Sequence, residues 1–141
     1  TKTPELKAAI ELVRACPETR FVLDHISKPY ISRQELEPWK SLITELATFE
    51  NVSCKISGLV TEANWKDWEV SDFTPYTDHI IESFSTSRIM FGSDWPVALL
   101  AADSYQQVVD LAEKVTDGFS DSEKEAFWAL NVARSYKITN L

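Results

Sequence analysis

Apolar residues recur along the chain with two alternating periods, one helical and one typical of short strands. Helical spacing begins after capping residues or prolines near positions 3, 32, 74, 104 and 120. Three short apolar runs lie between these stretches, and we predict that they are strands: Arg20–Asp24, Val52–Ile56 and Arg88–Phe91. The predicted order is therefore helix, strand, helix, strand, helix, strand, helix, helix.

Strands that alternate with helices of about 12 residues indicate βαβ units, whose strands lie parallel in one sheet. No linker, low-complexity tract or block of like charge divides the chain. We therefore predict one α/β domain over residues 1–141, with three parallel strands flanked by helices on one face.

Polar side chains end all three predicted strands. His25 follows the first strand, Lys55 lies near the end of the second, and Asp94 follows the third after Gly92 and Ser93. The carboxyl ends of parallel strands meet at one edge of a sheet, where α/β proteins place their chemistry. The sequence thus predicts that His25, Lys55 and Asp94 converge at one rim.

The two-residue period of a strand also assigns side chains to faces. If Asp94 points toward the inner face of the sheet, Met90 does so too. Counting back from His25 places Leu23 and Phe21 on that same face. Three strands would leave these apolar side chains exposed, and exposed apolar surface favours association.

Each candidate residue has a structural alternative. His25 is either a general acid or base or a structural histidine held by a hydrogen bond, for example one that it donates to Asp24. Asp94 either carries chemistry or caps a turn. Lys55 either binds an anionic or carbonyl group or pairs with Asp94. Trp95 either lines a substrate pocket or packs in the core.

Charge and composition narrow the classes of partner. The formal net charge of −8 argues against a nucleic-acid backbone or an anionic membrane surface. No apolar run approaches the roughly 20 residues that span a bilayer. Cys16 and Cys54 lack metal-ligand spacing, so we interpret them as reduced thiols, which favours a cytoplasmic location. A small-molecule substrate is the expected partner.

Three stretches taken together resemble the C-terminal part of the amidohydrolase superfamily. They are Phe21-Val-Leu-Asp-His25 with Lys28-Pro29, then Val52-Ser-Cys-Lys-Ile-Ser-Gly-Leu59, then Ile89-Met-Phe-Gly-Ser-Asp-Trp-Pro-Val97. The tail at residues 131–136 also resembles the closing helix of that family. The similarity is greatest to the amidohydrolase-related branch that contains sugar-lactone hydrolases and pyrone-dicarboxylate lactonase.

This resemblance implies a (β/α)₈ barrel, of which the chain would supply strands six to eight, with the active site at the C-terminal rim. It implies that Asp94 activates the attacking water and touches the metal in metal-bearing members. It implies that His25 polarises a carbonyl group or transfers a proton. Lys28, Lys55 and Trp95 fall where substrate contacts are expected.

Metal binding is where the chain departs from the resemblance. The family carries a His-x-His pair on its first strand, whereas this chain has two histidines, His25 and His79. We predict that His79 lies on the surface, which leaves His25 and Asp94, and a catalytic zinc usually has three protein ligands. We expect no complete metal site in this chain and expect Asp94 to pair with Lys55 or His25. A divalent ion such as zinc would belong to the full-length protein.

The resemblance predicts hydrolysis of a cyclic ester, a sugar-acid lactone, by water that an aspartate activates. One alternative is a decarboxylase of an aromatic carboxylic acid on the same fold. Another is a non-catalytic partial barrel that serves as an association module, with its open face covered by a partner chain. The protein partners expected for the chain are a second copy or the missing half of the barrel. Three strands cannot close a barrel for which eight are typical, so we expect a piece of a longer enzyme that is inactive alone.

Overall fold

A computed structural model describes residues 1–139 and contains one three-stranded parallel sheet. The strands are β1 (Phe21–Leu23), β2 (Val52–Ile56) and β3 (Ile89–Phe91), and they lie side by side in chain order. Both pairs, β1 with β2 and β2 with β3, are parallel. The predicted number, order and direction of the strands are confirmed.

Helices precede the first strand, connect the strands and follow the last one. They are α1 (Leu6–Ala15), α2 (Trp39–Ala47), α3 (Val70–Phe84), α4 (Tyr105–Val115), α5 (Asp121–Glu125) and α6 (Asn131–Tyr136), with a π-helical turn at Ala126–Leu130. Short 3₁₀ turns occur at Thr3–Glu5, Asp24–Ser27, Ile31–Arg33, Val60–Glu62 and Val97–Leu100. No helix in the described part of the chain is both long enough and apolar enough to cross a bilayer.

The helix predicted to begin near the capping residue Ser32 does not begin there. Residues Ile31–Arg33 form a separate 3₁₀ turn, and α2 begins only at Trp39, directly after Pro38. A residue that precedes proline is driven out of the helical region, so a helix cannot run through Pro38 from the earlier turn.

The start of α3 also differs from the prediction at Thr74. The helix begins four residues earlier, at Val70, because the Asp72 carboxylate accepts a hydrogen bond from the Glu69 amide at 2.9 Å. Pro75 therefore lies inside the helix, where its missing N–H removes one intrahelical hydrogen bond.

The cap of α4 allows a test of these helix starts. The sequence allows either Asp103 or Ser104 as this cap. Ser104 Oγ accepts a hydrogen bond from the Gln107 amide at 3.2 Å, so Ser104 is the cap. We expect Ser104→Ala to lower the free energy of unfolding by about 1 kcal/mol. Ser32→Ala is the matched control, since no helix begins there and the free energy should not change. Urea titration of the intact protein measures both, and equal losses in the two variants would contradict the observed caps.

The core lies between the sheet and the helices, and it contradicts the predicted faces of β1. Leu23 is opposite Cys54, which is opposite Ile89 in turn, and all three are at most 5% exposed within the core. Leu23 and Phe21 therefore point toward the helices and not toward the inner face. The strand ends at Leu23, and His25 has a left-handed φ of 54°, so the two-residue period does not extend to His25.

The opposite, inner face of the sheet is partly covered by α6. Ser135 Oγ lies 3.5 Å from Ser53 Oγ, and Lys55 Nζ lies 5.6 Å from the centre of the Tyr136 ring. At this face Met90 is completely buried. The inner face is thus less open than the sequence predicted, because the last helix folds back across it.

Asn131 ties the same region of the chain to the edge of the sheet. Its side-chain amide donates to the Ile89 carbonyl at 2.7 Å and to the Thr86 carbonyl at 2.9 Å. The bonds from β3 to β2 use Arg88 and Gly92, so the Ile89 carbonyl lies on the edge that faces away from β2. A side chain therefore satisfies a carbonyl that a neighbouring strand would otherwise bind.

Candidate active site

Four polar side chains meet at the carboxyl end of the sheet. His25 Nε2 lies 3.1 Å from Asp24 Oδ2 and 3.6 Å from Asp94 Oδ1. Lys55 Nζ lies 3.0 Å from Asp24 Oδ1. The structure thus brings together His25, Lys55 and Asp94, which the sequence placed at one rim, although their catalytic and binding roles remain predictions.

The partner of Lys55 is Asp24 and not Asp94. The register places Leu23 opposite Cys54, so the next residue on each strand, Asp24 and Lys55, also lie side by side. Asp94 pairs instead with His25, one of the two partners that the sequence left open. Continuing the strand register by one residue would have been enough to identify the pair between Asp24 and Lys55.

Lys55 keeps its charge although its side chain is largely enclosed. Burial lowers the pKa of Lys55, but the hydrogen bonds and charge of Asp24 and Tyr136 more than offset this, so the net pKa is raised. A Cβ at Gly92 would approach Lys55 Cδ to 2.6 Å, so glycine is needed there for the lysine stem to pass. Lys55 is therefore a cation held in place within the site at neutral pH.

The His25 ring is held on two sides. Its Nδ1 lies 2.8 Å from Ser57 Oγ at the end of β2. Its ring packs directly on Gly58, where an added Cβ would lie 2.9 Å from Nδ1 and 3.0 Å from the ring carbon Cγ. The orientation of the imidazole is therefore set by backbone contact and by a hydrogen bond, not by the carboxylates alone.

The loop that carries His25 has an unusual backbone. Four consecutive residues, at positions 25–28, have φ between 43° and 60°, a region that costs roughly 1–2 kcal/mol per residue with a side chain. Distant side chains hold the loop: Trp39 Nε1 donates to the Ile26 carbonyl at 2.7 Å, and Thr3 Oγ1 donates to the Lys28 carbonyl at 3.2 Å. Strain of this kind persists only where surrounding contacts enforce it, and it is common at functional sites.

Removing the tryptophan N–H should loosen this loop. Trp39 is 1% exposed, so Trp39→Phe would leave the Ile26 carbonyl buried without its donor. We expect the free energy of unfolding to fall by about 1–3 kcal/mol and amide hydrogen exchange in the loop to speed up. Trp65→Phe is the control, because that indole is 51% exposed and water can replace its bond to the Thr61 carbonyl. Similar losses in both variants would contradict the proposed anchoring.

Asp94 presents one carboxylate oxygen that no other group in the described part of the chain binds. Its Oδ1 faces His25, whereas Oδ2 is buried and has no hydrogen-bond partner among residues 1–139. Asp94 itself has a φ of 54°, which turns the chain directly after β3. A buried charged oxygen without a partner is costly, so this atom marks a position for a water molecule, a substrate group or a cation.

The described residues do not make a complete metal site. Residues 1–139 contain no group of three or more His, Cys, Asp or Glu side chains arranged to hold an ion. Asp94 Oδ2 is one free ligand atom, but a catalytic zinc usually takes three ligands from the protein. Any such ion would need ligands from outside these residues.

Lys28 follows the carboxyl end of β1 and Trp95 follows that of β3, but the two side chains have different environments. Lys28 Nζ forms an ion pair with Glu62 Oε1 at 2.8 Å. Trp95 is 48% exposed, and its ring contacts Tyr105 with the ring centres 5.7 Å apart. The alternative that Trp95 packs in the core is therefore wrong, and a role for either residue in substrate binding remains a prediction.

His79 is not a surface residue as predicted. It is 8% exposed, and its Nε2 lies 3.0 Å from the Lys40 carbonyl and 3.2 Å from Thr44 Oγ1. The cause is the packing of α3 against α2, which encloses the ring beside Trp39. Its contacts are structural and lie away from the rim.

A cavity lies at the opposite end of the sheet from the polar cluster. It has a volume of about 710 Å³ and is lined by residues that include Arg20, Ser53, Arg88 and Asn131. Arg88 donates to three backbone carbonyls there, and burial lowers its pKa. This end carries the amino ends of the strands, which in barrel folds serve stability more than chemistry.

The fold and the rim together define the C-terminal part of a (β/α)₈ barrel whose polar cluster lies at the carboxyl ends of its last strands. The chain belongs to the amidohydrolase family, whose model matches residues 1–138. The resemblance that the sequence suggested is thus confirmed.

Individual relatives agree with this assignment. An L-fucono-1,5-lactonase from Burkholderia ambifaria is 41% identical over 94% of this chain and 47% of its own length. A second protein of that name, from Burkholderia multivorans, is 39% identical over 84% of this chain and 43% of its own length. A crystal structure of an amidohydrolase from Burkholderia multivorans with bound zinc is 36% identical with a TM-score of 0.87, over 97% of this chain and 50% of that one. The chain spans about half the length of these relatives.

Proposed function

We propose that the intact protein hydrolyses a cyclic ester, specifically the lactone of a sugar acid. The observation that carries this proposal is the free Oδ2 of Asp94 beside the His25 ring, in a chain whose relatives include two L-fucono-1,5-lactonases. A lactone needs an activated water and a donor for the carbonyl oxygen, and these two side chains supply both functions at one rim.

In the proposed reaction Asp94 Oδ2 accepts a proton from water as the water oxygen attacks the lactone carbonyl carbon. The carbonyl π bond opens, and the His25 N–H stabilises the negative charge that forms on the carbonyl oxygen. The tetrahedral intermediate then collapses, and the ring C–O bond breaks. The proton held by Asp94 passes to the departing alkoxide, so the product is an open-chain hydroxy acid and Asp94 is again ionised.

The remaining rim residues fit a neutral substrate with many hydroxyl groups. Lys55 is held by Asp24, and Lys28 is held by Glu62. Each ion pair presents both a donor and an acceptor, which is what a sugar hydroxyl needs. We propose that Lys28 and Lys55 bind substrate oxygens in this paired form and that the exposed Trp95 ring covers an apolar face of the sugar.

A divalent metal in the intact protein is a separate proposal. It is supported by the zinc in a related crystal structure and by the unpartnered Asp94 Oδ2. Bound there, the ion would act as a Lewis acid toward the carbonyl. Asp94 would be its ligand from this chain, and the other ligands would come from residues outside it.

We propose that the other half of a barrel packs against the inner face of the sheet. Its three strands leave two edges without a neighbouring strand among the described residues, and the relatives are about twice as long. A second copy of the chain is the alternative occupant. Sedimentation of the intact protein decides between them, since a monomer at micromolar concentration would exclude association through this face.

The activity itself is tested by offering the intact protein two substrate classes. We expect sugar-acid lactones to be hydrolysed, which a pH indicator detects as acid release. Aromatic carboxylic acids, assayed by released CO₂, should not react. Release of CO₂ without lactone hydrolysis would replace the proposal with a decarboxylase. Turnover of neither class would overturn the hydrolase proposal.

A further inference from the structure

We propose that Ser57 is a positioning residue that holds the His25 ring with its N–H on Nε2, an inference that rests on the proposed lactone hydrolysis. The two ring nitrogens face different chemistry. Nε2 faces the carboxylates of Asp24 and Asp94, at 3.1 and 3.6 Å, whereas Nδ1 faces the Ser57 hydroxyl at 2.8 Å. A carboxylate accepts hydrogen bonds, but a hydroxyl either donates or accepts.

This asymmetry leaves one arrangement of protons for the neutral ring. A neutral imidazole carries one N–H, and two ionised carboxylates require it on Nε2. Nδ1 then offers a lone pair, so the Ser57 O–H must donate to it. Ser57 is 4% exposed, and its Oγ has no other hydrogen-bond partner among residues 1–139. The hydroxyl therefore has no competing bond that would turn it away from the ring.

Packing holds the hydroxyl in this position. An added Cβ at Gly92 would lie 2.8 Å from Ser57 Cβ, so β3 approaches β2 closely at this point. The His25 ring packs on Gly58, the residue that follows Ser57. Ser57 and the ring thus each pack closely against a glycine, Gly92 and Gly58 respectively.

The tautomer matters for the proposed chemistry. With the proton on Nε2, the ring directs an N–H toward the side of the site where Asp94 lies, and it stabilises the oxyanion there. With the proton on Nδ1, a lone pair would face two carboxylates, and the ring would offer no donor to the carbonyl oxygen. Ser57 touches no reacting atom in this scheme, so it acts through His25.

The first test examines the wild-type ring. The intact protein is labelled with ¹⁵N in histidine only, and long-range ¹H–¹⁵N spectra are recorded where the ring is neutral, with His25→Gln used to assign the signals. We expect a protonated Nε2 and an unprotonated, hydrogen-bonded Nδ1. A proton found on Nδ1 would make Ser57 the acceptor and would overturn the inference.

The second test compares Ser57→Ala with Ser53→Ala, which removes a hydroxyl earlier on the same strand, 3.5 Å from Ser135 and away from the ring. In Ser57→Ala we expect the Nδ1 shift to move toward that of a lone pair without a hydrogen bond, while the proton stays on Nε2 because both carboxylates remain. We expect kcat to fall about 10- to 100-fold, the size of effect seen when the hydrogen-bond partner of a metal-ligating histidine is removed. Ser53→Ala should leave the spectrum and kcat unchanged.

The outcomes separate this inference from the proposed function. Spectra that change as expected in a protein that hydrolyses no lactone would support the positioning role of Ser57 and would remove the lactonase proposal. Lactone hydrolysis that is equal in wild type and Ser57→Ala, with unchanged nitrogen shifts, would overturn the role of Ser57 and leave the lactonase proposal intact.

Discussion

Asp94→Asn is expected to lower lactone turnover by the intact protein by several orders of magnitude, roughly 10²- to 10⁴-fold for the loss of a general base. The amide has nearly the same shape as the carboxylate but does not accept a proton from water. It also places an N–H₂ group where the buried Oδ2 now lies without a partner. The KM should change less than kcat, because the lost interaction is made mainly in the transition state.

The control for this prediction is Asp117→Asn, an exposed aspartate in the turn after α4. It removes the same charge far from the rim, so activity should stay near that of the wild type. Steady-state kinetics on one lactone measures both variants, and circular dichroism confirms that both are folded. Near-native turnover in a folded Asp94→Asn protein would exclude Asp94 from the chemical step.

Gly58→Ala is expected to lower both stability and activity. Gly58 has a φ of +62°, where a residue with a Cβ costs roughly 1–2 kcal/mol in the free energy of unfolding. The new methyl group would lie 2.9–3.0 Å from His25 atoms, too close for contact, so the imidazole must shift. A displacement of this kind costs about 10²-fold in kcat/KM when a reacting group loses its alignment.

Gly118→Ala provides the matched control. A Cβ at Gly118 would meet no atom within 4 Å, and its φ lies outside the left-handed region. The same added methyl group should therefore change neither kcat/KM nor the free energy of unfolding appreciably. If Gly58→Ala matched Gly118→Ala in both measurements, the ring would not be seated on Gly58 as the structure shows.

Features that depend on neighbours in the chain were predictable. The order of helices and strands, the parallel sheet and the Ser104 cap follow from periodicity and local hydrogen bonding. The meeting of His25, Lys55 and Asp94 at one rim also followed, because the carboxyl ends of parallel strands share an edge. Each of these predictions needs only the local pattern of each segment and the general geometry of parallel sheets.

The pairing of charges within the site was not predictable from residue types alone. Lys55 has two acids of equal charge within the same cluster, and only the register between β1 and β2 selects Asp24 over Asp94. Likewise, no local pattern shows that α6 returns to the inner face or that His79 is enclosed between two helices. These outcomes depend on how whole elements pack.

The sequence by itself therefore determined the α/β class, the strand order and the residue types at the rim, whereas the tertiary structure decided their orientation. The clearest case is the loop at residues 25–28, whose left-handed backbone ends the two-residue alternation before His25. That backbone is unfavourable locally, and it is held by Trp39, 13 residues from its bond partner, and by Thr3, 25 residues from its own. A conformation that opposes local preference and is stabilised by distant contacts leaves no signal in a short stretch of sequence.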